Sequence, residues 1–425
     1  MTTSPTTVAD RSALEAINGF YVPRVRVRVG DTEVEGIRSL VYDDSVNDEQ
    51  NALDRFELTV SNWDPDERRH RYIGSESSAE LDGPRGAELK MFEPSTTAVT
   101  VELGYGGDLQ LFMVGLITNM QPAFPAGGAP TLKASGVNTL YRLRDKQRTW
   151  AWENKTDSEI AKDLATNPRG SQGKFPYTVH VRTDASTAEK PLTYLAERNQ
   201  YDIDFLFRRA RENGYTIIAF DVKPKGGKGK PATHLWFGPA ERFPADLPAD
   251  VRERRDESSV QTAAGAAGDV SYRLAWGQSL IDVNPTISTR HQLHSVTVNG
   301  WDRRKKKAFS ETVKYDDKEL KLPKELQRIV AQTPETSETI SDEPVFSKDQ
   351  AKRKALGAMR NQQKVMVTAK GTTVGLPELR AGRHVELAEL GARLSGTYLV
   401  TATTHTFDEA GYTTKFTARL ETGAR

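Results

Sequence analysis

Alternating apolar and polar residues predict β-strands in the first third of the chain. In PRVRVRV, residues 23–29, valines alternate with arginines, and this two-residue period is typical of a strand with one buried face. RFELTV repeats the pattern at residues 55–60, and residues 99–120 read as two strands joined by a glycine turn. We therefore expect a mainly β domain over residues 20–145, preceded by an N-terminal arm over residues 1–19.

The middle of the chain has a different pattern and predicts an α/β insertion over residues 146–245. DSEIAKDLA and PLTYLAERN have the spacing of helices. DIDFLFRRARENG begins with Asp202 as a candidate N-cap and stops at Gly214, a residue suited to the end of a helix. YTIIAFDV and THLWFG are predicted strands on either side of the lysine-rich segment 224–231. Charged and small residues over 246–270 predict a linker.

The β pattern returns over residues 271–425, which we expect to form a second β domain. One helix interrupts it in SKDQAKRKALGAMRNQQ, where Ser347 and Gln350 fit a capping box. Five consecutive basic residues, 303–307, lie between the strand-like segments HSVTVNG and AFSETVKY. They are expected to form the solvated tip of a hairpin; the alternative is a contact with nucleic acid.

Two β segments align without a gap and suggest an internal duplication. The alignment starts at Val101 and Val385, and both segments begin with Val-Glu-Leu. It also pairs Gly107 with Gly391, Gly127 with Gly411, and Ala134 with Ala418. Two unrelated β-meanders that share turn glycines are the alternative. The duplication predicts a mainly β fold with two related β-barrel domains and an α/β insertion between them.

Composition narrows the possible chemistry. The chain has 425 residues, for which we expect two or three domains, and 59 basic residues against 58 acidic ones. A protein that wraps nucleic acid usually has a marked basic excess, which is missing here. The absence of cysteine excludes disulfides, thiol nucleophiles and zinc–thiolate sites. The N-terminus lacks the apolar core of a signal peptide, and we expect no membrane-spanning segment.

No catalytic, cofactor-binding or metal site is predicted. His291 and His294 have a spacing that could suggest a metal, but in a strand their side chains would face opposite sides. GGKGKP is similar to a phosphate-binding loop, yet Pro231 stands where a serine or threonine is needed. The sequence contains no nucleophile elbow, no HExxH helix and no dinucleotide-binding glycine turn. We therefore expect neither enzymatic activity nor a cofactor.

Four strings together resemble the baseplate hub proteins of contractile tails. The family includes phage late-control D proteins, the hub of T-even phages, and the N-terminal part of the VgrG spikes. The strings are FMVGLITNMQPAF, YLAERNQYDIDFLFRRARENG, LAWGQSLIDVNPTISTRHQLHSVTVNG and GLPELRAGRHVELAELGARLSGTYLV. Their order and spacing span nearly the whole chain.

This resemblance implies a structural protein of a phage tail or contractile injection system, with two tube-like β-barrel domains in each chain. It implies a homotrimer that joins a hexameric inner tube to a trimeric spike, with other baseplate components as neighbours. Because the chain ends soon after its last strand, we expect the spike to be a separate subunit. Synthesis and assembly in the cytoplasm and no specific nucleic-acid binding are also expected. A tail-associated cell-wall hydrolase and a carbohydrate-binding attachment module are the alternatives.

Overall fold

The structure is a computed structural model of the chain. It describes residues 22–46, 53–74, 76–94, 97–106, 108–144, 146–169, 176–227, 229–254, 270–320, 322–341, 345–391 and 393–420. The predicted N-terminal arm and most of the predicted linker lie outside the described residues.

The described residues form twenty-three strands and eight α-helices, together with short 3₁₀ turns. The strands are β1 Pro23–Val29, β2 Thr32–Glu33, β3 Ile37–Ser45, β4 Arg55–Ser61, β5 Trp63–Asp64, β6 Arg69–His70, β7 Ala98–Tyr105, β8 Asp108–Ala123, β9 Thr131–Asn138, β10 Gln147–Lys155, β11 Thr178–Val181, β12 Leu192–Tyr201, β13 Thr216–Val222, β14 Ala232–Gly238, β15 Val270–Ala275, β16 Leu280–Ile287, β17 Ser295–Asp302, β18 Lys307–Lys314, β19 Ser337–Ile340, β20 Val367–Val374, β21 His384–Ala388, β22 Gly396–Asp408 and β23 Gly411–Leu420. The helices are α1 Ser78–Leu81, α2 Gly86–Leu89, α3 Asp157–Thr166, α4 Ala185–Ala188, α5 Asp202–Asn213, α6 Ala249–Glu253, α7 Lys324–Ala331 and α8 Lys348–Lys364.

The expectation of a mainly β fold is confirmed. One 13-stranded sheet contains the main strands of both β regions, whereas β5 and β6, and likewise β17, β18 and β19, form small sheets of their own. Its first part runs in the order β3-β4-β9-β8-β7-β1-β2, and its second part in the order β16-β20-β23-β22, with β21 and β15 following on the far side of β22. The two parts are joined where the outer half of β22 pairs with β3. Each part curls around its own hydrophobic core, to which all six of its main strands contribute.

The two parts of the sheet repeat the same strand order. In chain order, β1, β3, β4, β7, β8 and β9 correspond to β15, β16, β20, β21, β22 and β23, and each strand has the corresponding neighbours. We call residues 22–138 the first unit, and β15, β16 and β20–β23 the second unit. One difference is the outermost strand, because β1 is antiparallel to β7 whereas β15 is parallel to β21.

Two β-bulges occupy the same places in both units. One separates Ile37 from Ser39 in β3 and Leu280 from Asp282 in β16. The other separates Ile117 from Asn119 in β8 and Val400 from Ala402 in β22. Bulges are specific features of a ladder and not random defects. Their agreement therefore supports the duplication.

Each of the two bulges can be used to match residues of the first unit to residues of the second, and both give the same match. Matching Ser39 to Asp282 brings Thr59 onto Thr372, and their partners Lys133 and Lys415 then coincide. Matching Asn119 to Ala402 brings their partners Ser135 and Thr417 together, which again superposes Lys133 on Lys415.

The gapless sequence alignment selects the right strands but the wrong residues. It is shifted by one residue in β8 and by two residues in β7 and β9. The reason is that matched residues lie farther apart along the chain in the first unit. The paired residues Val99 and Gly115 of β7 and β8 are 16 positions apart, whereas the corresponding Val385 and Tyr398 are 13 positions apart. Between β8 and β9 the separation is also larger, 16 positions for Asn119 and Ser135 against 15 for Ala402 and Thr417.

The insertion contains the two-stranded ribbon β10–β12 and the three-stranded sheet β11-β14-β13, whose core includes side chains of α3 and α5. Helix α5 ends at Gly214 in the left-handed conformation, as predicted. The prediction of a helix over PLTYLAERN is wrong, because Leu192–Tyr201 pairs with β10 along its length. Asp202 is the first helical residue and not the N-cap, and its carboxylate accepts hydrogen bonds from Arg169.

A separate small sheet interrupts the second unit between β16 and β20. Strands β18-β17-β19 pack on α8 around their own core, so the basic hairpin lies outside the large sheet. The tip is a turn, as predicted, in which Asp302 accepts hydrogen bonds from the backbone N–H groups of Arg304 and Lys305. Half of the predicted capping box of α8 is present, since the Ser347 side chain accepts a bond from the Gln350 N–H. The Gln350 side chain accepts a bond from the Phe346 N–H and not from the Ser347 N–H, so the reciprocal half differs from the prediction.

Gly136 of β9 lies beneath the Phe56 ring of the neighbouring strand, and a Cβ atom there would come within 2.6 Å of that ring and 2.1 Å of the Leu116 carbonyl oxygen. We expect Gly136→Val to lower the free energy of unfolding by about 1–3 kcal/mol through overpacking. Gly127→Val is the matched control, because no heavy atom lies within 4 Å of its Cβ position. Equal thermal midpoints for the two variants would show that the core of the first unit is packed differently.

The division of the chain into an insertion at 146–245 and a linker at 246–270 stays a prediction that limited proteolysis tests. Residues 223–231 connect β13 to β14, and their described residues contain a single turn of 3₁₀ helix, Lys225–Gly227. We expect the first cuts in 224–231 or 246–270. Segment 224–231 consists of lysine, glycine and proline and has no large apolar side chain to anchor it. Cuts in the second segment should fall beyond Val251, because Leu247 and Val251 are buried. Early cuts within residues 99–118 would contradict the division.

Candidate functional site

Four charged side chains from distant parts of the sequence meet at the junction of the two units and the insertion. Asp44 lies in β3, Asp54 immediately precedes β4, Asp221 lies in β13, and Arg380 follows β20. They line one cavity of about 20 Å³, which is room for roughly one water molecule. We call these four residues the junction cluster.

Each carboxylate of the junction cluster is held by donors from a different element. Asp44 accepts hydrogen bonds from the Ala381 N–H at 3.2 Å and from the Thr403 hydroxyl. Asp54 accepts from the Ser45 N–H at 3.3 Å and from Asn138 Nδ2 at 3.0 Å. The Asp44 bonds tie β3 of the first unit to the second unit, and the Asp54 bonds join the start of β4 to the ends of β3 and β9.

Asp221 links the insertion to the first unit in the same way. Its Oδ2 atom accepts a 2.8 Å bond from the Val114 N–H of β8, and its Oδ1 atom accepts a 2.5 Å bond from the Thr233 hydroxyl. A buried carboxylate that lost these donors would remain desolvated without compensation, at a cost of several kcal/mol. The junction therefore fixes the three parts of the chain relative to each other.

Burial and mutual repulsion change the acidity of the junction cluster. Burial, followed by the nearby Asp44 carboxylate, raises the pKa of Asp54 to about 8. Burial also raises the pKa of Asp44, although the positive charge of Arg380 opposes the shift. At neutral pH Asp54 is therefore mainly protonated, which allows two carboxyl groups to share the cavity.

Arg380 and His405 complete the polar interior of the junction. The Arg380 guanidinium lies 4.0 Å from the centre of the Phe112 ring, a cation–π contact. His405 contacts the Tyr412 hydroxyl at 2.7 Å through Nδ1 and the Leu379 carbonyl oxygen at 3.0 Å through Nε2. Burial, and then the charge of Arg380, lowers the pKa of His405 to about 3, so this imidazole is neutral. The cavity has room for little more than one water molecule beside these side chains.

The structure places the histidines singled out in the sequence away from any metal geometry. His291 and His294 lie in the connection before β17, not in a strand, and His294 bonds to Thr336. His180 and His234, far apart in sequence, meet at 2.9 Å on adjacent strands β11 and β14. Among the described residues no group of three or more His, Cys, Asp or Glu side chains could hold a metal ion.

A second buried charge cluster stabilises the insertion. Arg169 is 1% exposed and donates two bonds of 2.9 Å to Asp202 and one of 3.0 Å to Glu197. Burial and the nearby Asp202 raise the pKa of Glu197 to about 8. The cluster joins β12 to the start of α5. Nothing in the sequence pattern identified it, because its members belong to no known motif.

No helix among the described residues is both long and apolar enough to cross a membrane.

The raised pKa of Asp54 predicts that the free energy of unfolding depends on pH. Because the pKa is raised from 3.8 to about 8 in the folded chain, folding takes up a proton between these values and the free energy of unfolding falls as pH rises. From pH 6 to pH 9 the loss is at most about 3 kcal/mol at ~1.4 kcal/mol per pKa unit. Asp54→Asn should remove part of the fall in thermal midpoint, whereas Asp302→Asn at the exposed hairpin tip should keep it. An unchanged pH profile in Asp54→Asn would contradict the assignment.

Comparison with known proteins gives one partial sequence match. Residues 251–409, less than half of the chain, match the family model described as the Alg8 N-terminal domain. No curated protein matches the chain in sequence.

Solved structures resemble the chain over almost its whole length. The 43 kDa tail protein of prophage MuSo2 from Shewanella oneidensis is 16% identical, with a TM-score of 0.59 over 95% of this chain and 100% of that chain. The tail protein from Neisseria meningitidis MC58 is 13% identical, with a TM-score of 0.60 over 94% of this chain and 97% of that chain.

The E. coli c3393 protein is described as a component of the type VI secretion system with structural similarity to the T4 bacteriophage tail proteins gp27 and gp5. It is 10% identical, with a TM-score of 0.50 over 94% of this chain and 77% of that chain. Identities this low establish the fold alone. The resemblance drawn from the sequence is confirmed at that level: the chain has the fold shared by these phage tail and type VI secretion proteins.

Proposed function

We propose that the chain is a structural baseplate hub of a phage tail or contractile injection system. The observation that carries this proposal is the repeated six-stranded unit, continuous across one sheet within a single chain. The shared fold with tail proteins and a type VI secretion component supports it. The chain's role is to join parts of the particle and not to catalyse a reaction.

Three copies of the chain would form the hub. A tube built from rings of six subunits needs six similar contact surfaces at its end, and three chains with two units each supply them. Closed cyclic assemblies also leave no sheet edge free for further chains. The other side of such a ring has three-fold symmetry, which suits a trimeric spike. The proposed partners are therefore an inner tube protein, a separate trimeric spike protein and other baseplate components, assembled in the cytoplasm.

We also propose a structural role for the basic hairpin. Its tip is anchored by the Asp302 side chain, and the guanidinium of Arg303 lies 3.8 Å from the centre of the Phe346 ring. Part of its charge is thus engaged within the chain, and the overall charge is balanced. We propose no specific nucleic-acid contact here.

Deletion of the gene in the producing cell tests the proposal. We expect no particles that carry both tube and spike, with assembly restored by the wild-type chain and the chain present at the tube–spike boundary by electron microscopy. A deletion that leaves complete particles and removes only cell-wall hydrolysis, or only attachment to surface carbohydrate, would contradict the hub and support one of these two alternatives. The purified chain should neither degrade peptidoglycan nor contain stoichiometric zinc.

A further inference from the structure

The pairing that joins the two units provides a template for a second joint. The outer half of β22 pairs antiparallel with β3, from Ala402 opposite Ser45 to Phe407 opposite Leu40. The Val46 N–H donates a 2.8 Å bond to the Thr401 carbonyl just beyond the ladder, which shows which of the opposed residues form hydrogen-bonded pairs. We call this pairing of β22 with β3 the internal joint.

The strands that correspond to the internal joint are also present at the two ends of the sheet, where they have fewer neighbours. The counterpart of the outer half of β22 is the outer half of β8, residues 119–123, which among the described residues pairs only with β9. The counterpart of β3 is β16, whose ladder in the described part of the chain is with β20. An isolated bridge also joins Leu280, at the start of β16, to Trp276. One chain thus carries both halves of a second joint, at separate positions in its sheet.

We propose that β16 of one copy pairs antiparallel with the outer half of β8 of a second copy, and that this pairing joins the protomers of the hub. The bulge correspondence fixes the register: Asn119 lies opposite Ser288, as Ala402 lies opposite Ser45, and Met120 lies opposite Ile287. The inference rests on the proposed function for its ring geometry. A head-to-tail contact of this kind leaves one β16 edge and one β8 edge unused in any open assembly, and it forms a ring when its rotation closes.

Side chains on the core side of the second joint fit a protein partner. In the internal joint, these positions hold polar residues such as Asp44 and His405, both buried by the junction. At the corresponding positions of the second joint the chain has apolar residues, including Ile287, which is 36% exposed. Phe124 is 55% exposed, whereas its counterpart Phe407 packs against the core of the first unit. Exposed apolar side chains at a free strand edge are what a copy of the same fold would cover.

Two prolines distinguish the second joint from the internal one. In the template register, Pro122 lies opposite Pro285, at the positions that Tyr42 and His405 occupy in the internal joint. In the internal joint, the bond from the Val46 N–H to the Thr401 carbonyl marks a hydrogen-bonded pair, and every second pair along an antiparallel ladder is of this kind. The two prolines therefore lie opposite each other at a hydrogen-bonded position, and neither has an N–H to donate. The joint is therefore weaker than the internal one, and each free edge is protected from indiscriminate strand pairing before assembly.

Disulfide trapping in assembled particles tests the joint directly, because the wild-type chain has no cysteine. Asn119 and Ser288 occupy a non-hydrogen-bonded pair in the proposed register, in which Cβ atoms approach closely enough for a disulfide. The test variant is N119C together with S288C. The control for register is N119C with T286C, two residues out of step, and the positive control is V41C with T406C, a pair within the internal joint.

After mild oxidation, the test variant should give covalent oligomers up to the closed ring on a non-reducing gel, at least about tenfold more than the register control. The internal pair should form an intrachain bond. Particles that mix chains carrying only N119C with chains carrying only S288C should give dimers, which guards against misfolding of the double variant. If the internal pair oxidises in particles while the test pair stays reduced, the joint is wrong and the hub proposal stands. If the chain is absent from the particles, both are wrong.

Discussion

The antiparallel pairing between the outer half of β22 and β3 is the constraint on which the rest of the structure depends. It makes one sheet out of two six-stranded units that are far apart in the sequence. It also brings Asp44 of β3 beside Thr403 of β22, which starts the junction cluster. Without this pairing, each unit would expose an additional strand edge, and Asp44 would lose its donors Ala381 and Thr403.

Burial of polar side chains in this joint costs desolvation free energy, which a purely apolar joint would avoid. Three carboxylates and one guanidinium line a cavity that holds about one water molecule. Burial of such groups rarely adds stability in itself, but a set of donors in fixed positions excludes other registers. We interpret the junction cluster as a register device, because a slip of one residue would leave Asp44 without its bonds to Ala381 and Thr403.

The sequence alone predicts the elements whose information is local. Alternation identified β1 and β4, and glycine turns identified the β7–β8 hairpin, because each of these signals lies within a few residues. Strand β12 was mistaken for a helix because its spacing of apolar residues suits both, and only pairing with β10 decides. The repeat was detected, but its register required the bulges, which depend on ladder contacts and leave no mark in a gapless alignment.

The junction cluster was beyond sequence reasoning for the same reason. Asp44, Asp54, Asp221 and Arg380 belong to four separate segments, and no spacing rule relates them. Function in such a protein lies in where the sheet ends and what can continue it.

A reconstruction of the assembled particle by electron cryomicroscopy is the most direct test of the central claim, that one chain carries two copies of a unit whose sheet continues from copy to copy. We expect three chains around the axis, six similar units in the ring, and β16 of each chain beside β8 of the next. A ring of six chains, or three chains whose β16 edges remain in solvent, would contradict the account.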